Sequence, residues 1–126
     1  MPIDQTRSKR KASGGRLRDH RKSRQYARGR EPIMTRIDAV KTFVVQTLGG
    51  HRKHKLRSAN VINVTNPKDN KTQKTTVESV LKNPANRNFE RRNILTKGCV
   101  VQTPMGKVVI TSRPGQTNAL SGVLVE

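Results

Sequence analysis

Lys and Arg are the commonest side chains in this sequence that could bind a ligand by charge, and they are densest near its N-terminus. Lys and Arg number 27 against 8 Asp and Glu, which gives a formal net charge of +19 at pH 7. Between residues 7 and 30 they recur on average every two or three positions, a spacing that suits contacts with successive phosphates of a polyanion. The members of this first basic cluster are Arg7, Lys9, Arg10, Lys11, Arg16, Arg18, Arg21, Lys22, Arg24, Arg28 and Arg30.

Two further basic clusters follow, and both are interpreted as contacts for the same polyanion. The second begins after the Gly49-Gly50 pair and consists of His51, Arg52, Lys53, His54, Lys55 and Arg57. The third lies on a polar stretch, with Arg113 added in a later turn, and comprises Arg87, Arg91, Arg92 and Lys97. The alternative to polyanion binding is that these cations only form a solvated surface. For the first cluster, a nuclear localisation signal is a further alternative. A signal needs only about 5–8 basic residues, so the first cluster is longer than a signal requires.

The polyanion that fits this charge best is nucleic acid, and the scarcity of aromatic residues indicates how it would be bound. The aromatic residues are Tyr26, Phe43 and Phe89. Three are too few for a stacking platform, so binding through backbone and shape is expected. Tyr26, among the cations of the first cluster, is the stacking candidate. Phe43 lies in an apolar segment and is assigned to the core.

Catalysis and metal binding have little support in the sequence. His51 and His54 are spaced closely enough to share a metal, but the cations between and beside them disfavour one. The acids are scattered, and no nucleophile elbow or phosphate-binding loop is present. Cys99 has no cysteine partner and is expected to be a small buried hydrophobe in a reducing compartment. We therefore expect no enzyme activity, no cofactor, no metal and no small-molecule substrate.

Targeting to a membrane is not expected either. No run of 18 apolar residues occurs, and no apolar stretch follows the first cations as a secretory signal would require. Composition alone does not exclude that the arginine-rich N-terminal segment is a transit peptide. The prediction is a cytoplasmic protein without a membrane partner.

The elements that would position these cations divide the chain at about residue 38. Residues 1–38 hold few large apolar side chains, so they are predicted to form an extended basic arm, disordered when free. Residues 39–126 carry β-branched clusters between turn residues, which indicates a mostly β body. Strands are predicted at residues 40–46, 55–65, 71–81, 98–102, 107–111 and 119–125, with one helical turn within 87–95. A small six-stranded antiparallel β-barrel would leave few open edges.

Five strings of residues, in order along the chain, resemble the small-subunit ribosomal protein eight-e family in its archaeal form. They are Ser13-Gly14-Gly15-Arg16, Gly29-Arg30-Glu31-Pro32, Asn83-Pro84-Ala85-Asn86, Arg91-Arg92-Asn93-Ile94-Leu95-Thr96-Lys97-Gly98 and Thr111-Ser112-Arg113-Pro114-Gly115-Gln116. The resemblance covers nearly the whole chain, and five ordered motifs are more specific than any single one. The chain continues from Arg92-Asn93 into the final hairpins without an insertion. In this it resembles archaeal members, whereas eukaryotic members carry insertions there.

The resemblance implies a structural constituent of the small ribosomal subunit, located in the cytoplasm. It implies binding to 16S-type ribosomal RNA through a β-barrel body and a basic N-terminal extension, beside neighbouring small-subunit ribosomal proteins. One departure is Thr47-Leu48 before Gly49-Gly50, because family members usually carry an Arg immediately before the glycines. Protonated His51 and His54 are a hypothetical compensation for that Arg. The alternative reading is a non-ribosomal basic nucleic-acid-binding or chromatin-type protein.

Overall fold

The computed structural model describes residues 3–125, and the chain divides into two compact units that meet in sequence between Pro32 and Ile33. The first unit contains little regular structure. Its one described helix is a 3₁₀ helix at Gln25–Ala27, and two isolated β-bridges join Asp4 to Arg28 and Arg10 to Arg16. The inner bridge encloses a tight turn in which Gly14 has a φ of +83°. Glycine adopts that left-handed conformation without a steric cost, so the turn explains Gly14.

The described residues of the second unit, 33–125, form eight strands and one short α-helix. The strands are β1 Lys41–Gln46, β2 Arg52–Ser58, β3 Val61–Asn66, β4 Lys71–Thr76, β5 Ser79–Lys82, β6 Val100–Thr103, β7 Gly106–Ile110 and β8 Ser121–Val125. The helix α1 is Asn88–Arg91, and a 3₁₀ turn occupies Leu48–Gly50. Strands β1 and β2 form a two-stranded antiparallel ribbon, while the other six form one sheet in the order β4-β3-β8-β7-β6-β5.

The prediction of a mostly β body is confirmed, but the six-stranded antiparallel barrel is wrong in two respects. The sheet is mixed, because β3 pairs with β8 in parallel while its other described pairs are antiparallel. It is also not closed, since its order ends at β4 on one side and β5 on the other. These two end strands are consecutive in the chain, with Val77 and Glu78 between them. The prediction failed because the strand that β8 joins on its second side depends on the path of a ten-residue connection, residues 111–120.

Two of the predicted strands are each divided by a change of hydrogen-bonding partner. The segment 55–65 breaks at Ala59 and Asn60, where Ala59 N donates to Arg36 O at 3.0 Å instead of continuing a ladder. The segment 71–81 breaks where Val77 N donates to Asn60 O at 2.8 Å and Glu78 N donates to Gln102 O at 3.0 Å. The chain thereby leaves β3 and joins β6. Such switches of partner have no local sequence signal. The structure therefore has eight strands where the sequence predicts six.

The core of the second unit is aliphatic and follows the two-residue period of its strands. Ile62 and Val64 on β3 and Val108 and Ile110 on β7 are buried, as expected for residues that alternate across a sheet. Cys99 belongs to the same cluster, so its prediction as a small buried hydrophobe is confirmed. Across residues 3–125, no helix has the length and apolar character needed to cross a membrane.

Candidate nucleic-acid interface

The first basic cluster lies on a folded-back segment that exposes its cations. Lys11 N donates to Gly15 O at 2.8 Å and Leu17 N donates to Lys9 O at 2.8 Å, which closes the turn around Gly14. All eleven Lys and Arg of the cluster are exposed, and so is Tyr26, with 76% of its surface accessible. The arrangement presents positive charge and one aromatic ring to solvent.

The carboxylate of Asp4 interacts chiefly with hydroxyl groups in this unit. Hydrogen bonds from Ser23 Oγ and from the hydroxyl and backbone N–H of Thr6 lower the pKa of Asp4, with a smaller contribution from the charge of Lys9. The carboxylate is thus held in its ionised form by local donors. Its charge offsets little of the surrounding positive charge.

The second basic cluster lies on strand β2 of the ribbon. His51, Arg52, Lys53, His54 and Arg57 are exposed and Lys55 is half-buried. The tip of the ribbon is closed by Thr47 N, which donates to His51 O at 2.8 Å, while Gly49 and Gly50 both adopt positive φ. The glycine pair that preceded the basic run in the sequence is therefore the turn that returns β2 alongside β1.

The backbone segments that carry the second basic cluster, the third basic cluster and Arg113 are joined around Thr35, Arg36 and Leu56. Arg36 forms bridges with Ser58, at the end of β2, and with Ile94, inside the third cluster. Buried Thr35 donates its hydroxyl to Leu56 O at 2.8 Å, and Leu95 N donates to Thr35 O at 2.8 Å. Leu56 N in turn donates to Pro114 O at 3.0 Å, which brings the neighbour of Arg113 to β2. Groups separated by up to about 60 residues in sequence thus share one anchor.

The third basic cluster is positioned by a buried asparagine rather than by a long helix. Asn83 Nδ2 donates to Ile94 O at 3.0 Å, and Asn83 Oδ1 accepts from Thr96 Oγ1 at 2.9 Å. Asn83 N donates to Glu90 Oε1 at 2.9 Å, which fixes helix α1. These bonds leave the charged members of the cluster on the surface: Arg87, Arg91, Arg92 and Lys97.

Arg113 is exposed at the start of a turn that its own carbonyl organises. Arg113 O accepts hydrogen bonds from Thr117 N at 3.0 Å and from Thr117 Oγ1 at 2.9 Å. The neighbouring Pro114 is buried, so the turn is attached firmly to the body. Arg113 is therefore available to a partner from a rigid position.

Sequence reasoning missed or misplaced three residues of this surface. Phe43 is not a core residue, because 48% of its surface is exposed on β1. Arg36 and Lys41 are exposed cations beside the second cluster, and Lys41 Nζ lies 3.5 Å from Asp38 Oδ2 in a solvent-exposed ion pair. Pairing residues 40–46 with the basic run across Gly49-Gly50 would have found Lys41. The position of Arg36 depends on distant contacts and has no such signal.

A metal site among the described residues would require a cluster of side chains that could hold the ion. Within residues 3–125, no group of three or more His, Cys, Asp or Glu side chains is placed to hold a metal ion. His51 and His54 are both exposed.

Comparison with known proteins gives a consistent family assignment. The profile described as ribosomal protein S8e matches residues 4–125. The small ribosomal subunit protein eS8 of Methanosarcina barkeri is 48% identical, over 94% of this chain and 95% of the relative. The proteins of the same name from Methanococcoides burtonii and Methanobrevibacter smithii are 45% and 43% identical, over 97% and 99% of this chain and 98% and 100% of theirs. This chain belongs to the ribosomal protein S8e family.

Proposed function

We propose that this chain is a structural, non-catalytic constituent of the small ribosomal subunit that binds 16S-type ribosomal RNA in the cytoplasm. The observation that carries the proposal is the full-length similarity to archaeal proteins named for that subunit. The net charge of +19 supports it, because a folded chain with this excess of cations needs a polyanionic partner. Neighbouring small-subunit proteins would be its other partners.

The arm and the body would have different tasks on the RNA. The body, residues 39–126, would dock through β2, the third basic cluster and Arg113, whose backbone segments are joined around Thr35, Arg36 and Leu56. In the arm, residues 1–38, the part before Ile33 would follow the RNA backbone and become fixed as phosphates neutralise its cations, whereas Thr35 and Arg36 are already hydrogen-bonded to the body. Phosphate and shape contacts would account for most of the affinity, since RNA duplexes present few base edges to side chains.

Sucrose-gradient fractionation of native cell extract would test the proposal. The protein should sediment with the small subunit in a one-to-one ratio by mass spectrometry, and it should stay there at moderate salt. Absence from the subunit fractions would overturn the ribosomal role. A chromatin-type protein would instead sediment with DNA, and its binding to ribosomal RNA would be lost to excess duplex DNA competitor.

A further inference from the structure

The ribbon of β1 and β2 exposes apolar side chains that the core does not use. Phe43 and Val44 on β1 are 48% and 46% exposed, and Leu48 at the tip is 93% exposed. The protein has only three aromatic residues, and its core is built from aliphatic side chains. An aromatic ring left half in water on a basic element is therefore available for a partner.

The pairing of the strands places these apolar groups on both faces of the ribbon. Phe43 lies directly opposite Lys55, and Val44 lies directly opposite His54. Residues opposite each other in an antiparallel pair share a face, and successive residues alternate between faces. One face thus carries Phe43 with Lys55, and the other carries Val44 with His54. Because the two apolar groups do not form one patch, a partner that covers both must surround the ribbon.

The charge of the ribbon selects the chemistry of that partner. Residues 39–68 contain no Asp or Glu, whereas β2 alone contributes two Arg and two Lys. A phosphate-rich partner with exposed apolar faces meets both requirements, and an unpaired nucleobase has such a face. A continuous RNA duplex does not, because its deep groove is too narrow and its bases are stacked inside.

We propose that Phe43 stacks on an unpaired nucleobase, so that the ribbon recognises a bulge, internal loop or junction of RNA and not an uninterrupted helix. Lys55, directly across the ribbon, contacts the phosphate of the same or the next nucleotide. Leu48, at the tip of the ribbon and five residues beyond Phe43, acts as an apolar wedge at a separate base step, a use of leucine known from nucleic-acid binding proteins. This inference rests on the proposed function and adds the structural class of RNA that the ribbon binds.

The absence of Trp from the chain provides a direct probe. In the full-length protein carrying Phe43→Trp, the single indole should be quenched when an RNA hairpin with a three-nucleotide bulge is added. The same hairpin without its bulge should leave the emission unchanged. Phe43→Leu should weaken binding to 16S-type RNA about tenfold, the scale of one lost aromatic stack. Leu81→Ala, an exposed leucine on β5, is the matched control and should bind as the parent does.

Three results would decide against the inference. Unchanged indole emission from the Phe43→Trp variant with bulged RNA, alongside normal binding, would show that the ring does not stack. Parent-like affinity of Phe43→Leu would show the same. A change in emission on addition of small-subunit proteins without RNA would assign the ribbon to a protein partner. In each case the protein would still sediment with the small subunit, whereas loss of that sedimentation would overturn the proposed function itself.

Discussion

Asn83 Oδ1 accepts a hydrogen bond from Thr96 Oγ1 at 2.9 Å, and this bond joins the end of β5 to the segment that follows α1. The same side chain donates to Ile94 O and accepts from Ala85 N at 3.0 Å each. Asn83 is only 3% exposed, so water cannot easily replace these partners. One amide therefore holds both ends of the loop that carries the third basic cluster.

Replacing Asn83 with Ala should lower the free energy of unfolding by roughly 2–4 kcal/mol. The substitution leaves three buried or half-buried polar groups without their partner, and each unsatisfied group costs about 1–3 kcal/mol at full burial. Urea denaturation followed by circular dichroism would measure the loss. Asn118→Ala, at an exposed asparagine, is the control and should change stability by less than about 0.5 kcal/mol. Equal stability of the two variants would contradict the role given to Asn83.

Gly122→Ala should destabilise the body through a steric clash between β8 and its antiparallel neighbour β7. A Cβ at Gly122 would lie 2.5 Å from Val108 Cγ1 and 2.8 Å from Val109 O, and the second contact is with backbone that cannot move aside. Overpacking of this kind costs about 1–3 kcal/mol. Gly115→Ala provides the control, because a Cβ there meets no atom within 4 Å. A thermal melt with equal midpoints for the two variants would refute the clash.

The features that sequence could predict are those encoded locally. The hairpin of β6 and β7 was placed correctly because Pro104 and Gly106 mark its turn between two apolar runs. The burial of Cys99 and the helical turn within 87–95 followed from local pattern in the same way. In each case a few neighbouring residues carry all the required information.

The features that sequence could not predict depend on contacts between distant segments. The parallel pairing of β8 with β3 joins segments that lie far apart in the sequence, and no residue near β8 signals its direction. The exposure of Phe43 follows from β1 and β2 forming a sheet of their own, in which Leu56 on β2 belongs to the core cluster and Phe43 does not, and a two-residue period does not reveal this. The junction around Thr35, Arg36 and Leu56 joins three segments whose cations are evident in the sequence but whose meeting point is not.

The thiol of Cys99 should react slowly in the folded protein. Burial raises its pKa, which reduces the thiolate that alkylating reagents require, and the side chain is enclosed by the core. Alkylation by iodoacetamide should be at least about tenfold slower in buffer than in concentrated urea. Because the folded pKa lies above the unfolded one, the linked stability is complete below the unfolded pKa and falls as the pH rises through the folded value. Equal rates in the two solvents would show an accessible thiol.

The arm model predicts how RNA binding should respond to salt. Replacing Arg16, Arg18 and Arg21 with Ala should weaken binding and lower the slope of log affinity against log salt by about 2–3, because each lost phosphate contact releases about one counterion fewer. Filter binding to 16S-type RNA over a salt series would measure the slope. An unchanged slope would show that these cations contact no phosphates.

A second triple variant separates contacts of the arm from a general effect of net charge. Lys74→Ala, Lys82→Ala and Lys107→Ala together remove the same charge from exposed positions on β4, β5 and β7. None of these lysines belongs to a basic cluster, and the arm model assigns them no phosphate. The slope for this variant should therefore stay close to that of the parent protein. An equal fall for both triple variants would mean that the three lysines are held against the RNA as closely as the three arginines, so that the arm has no special part in phosphate binding, because counterion release counts only cations held against the polyanion.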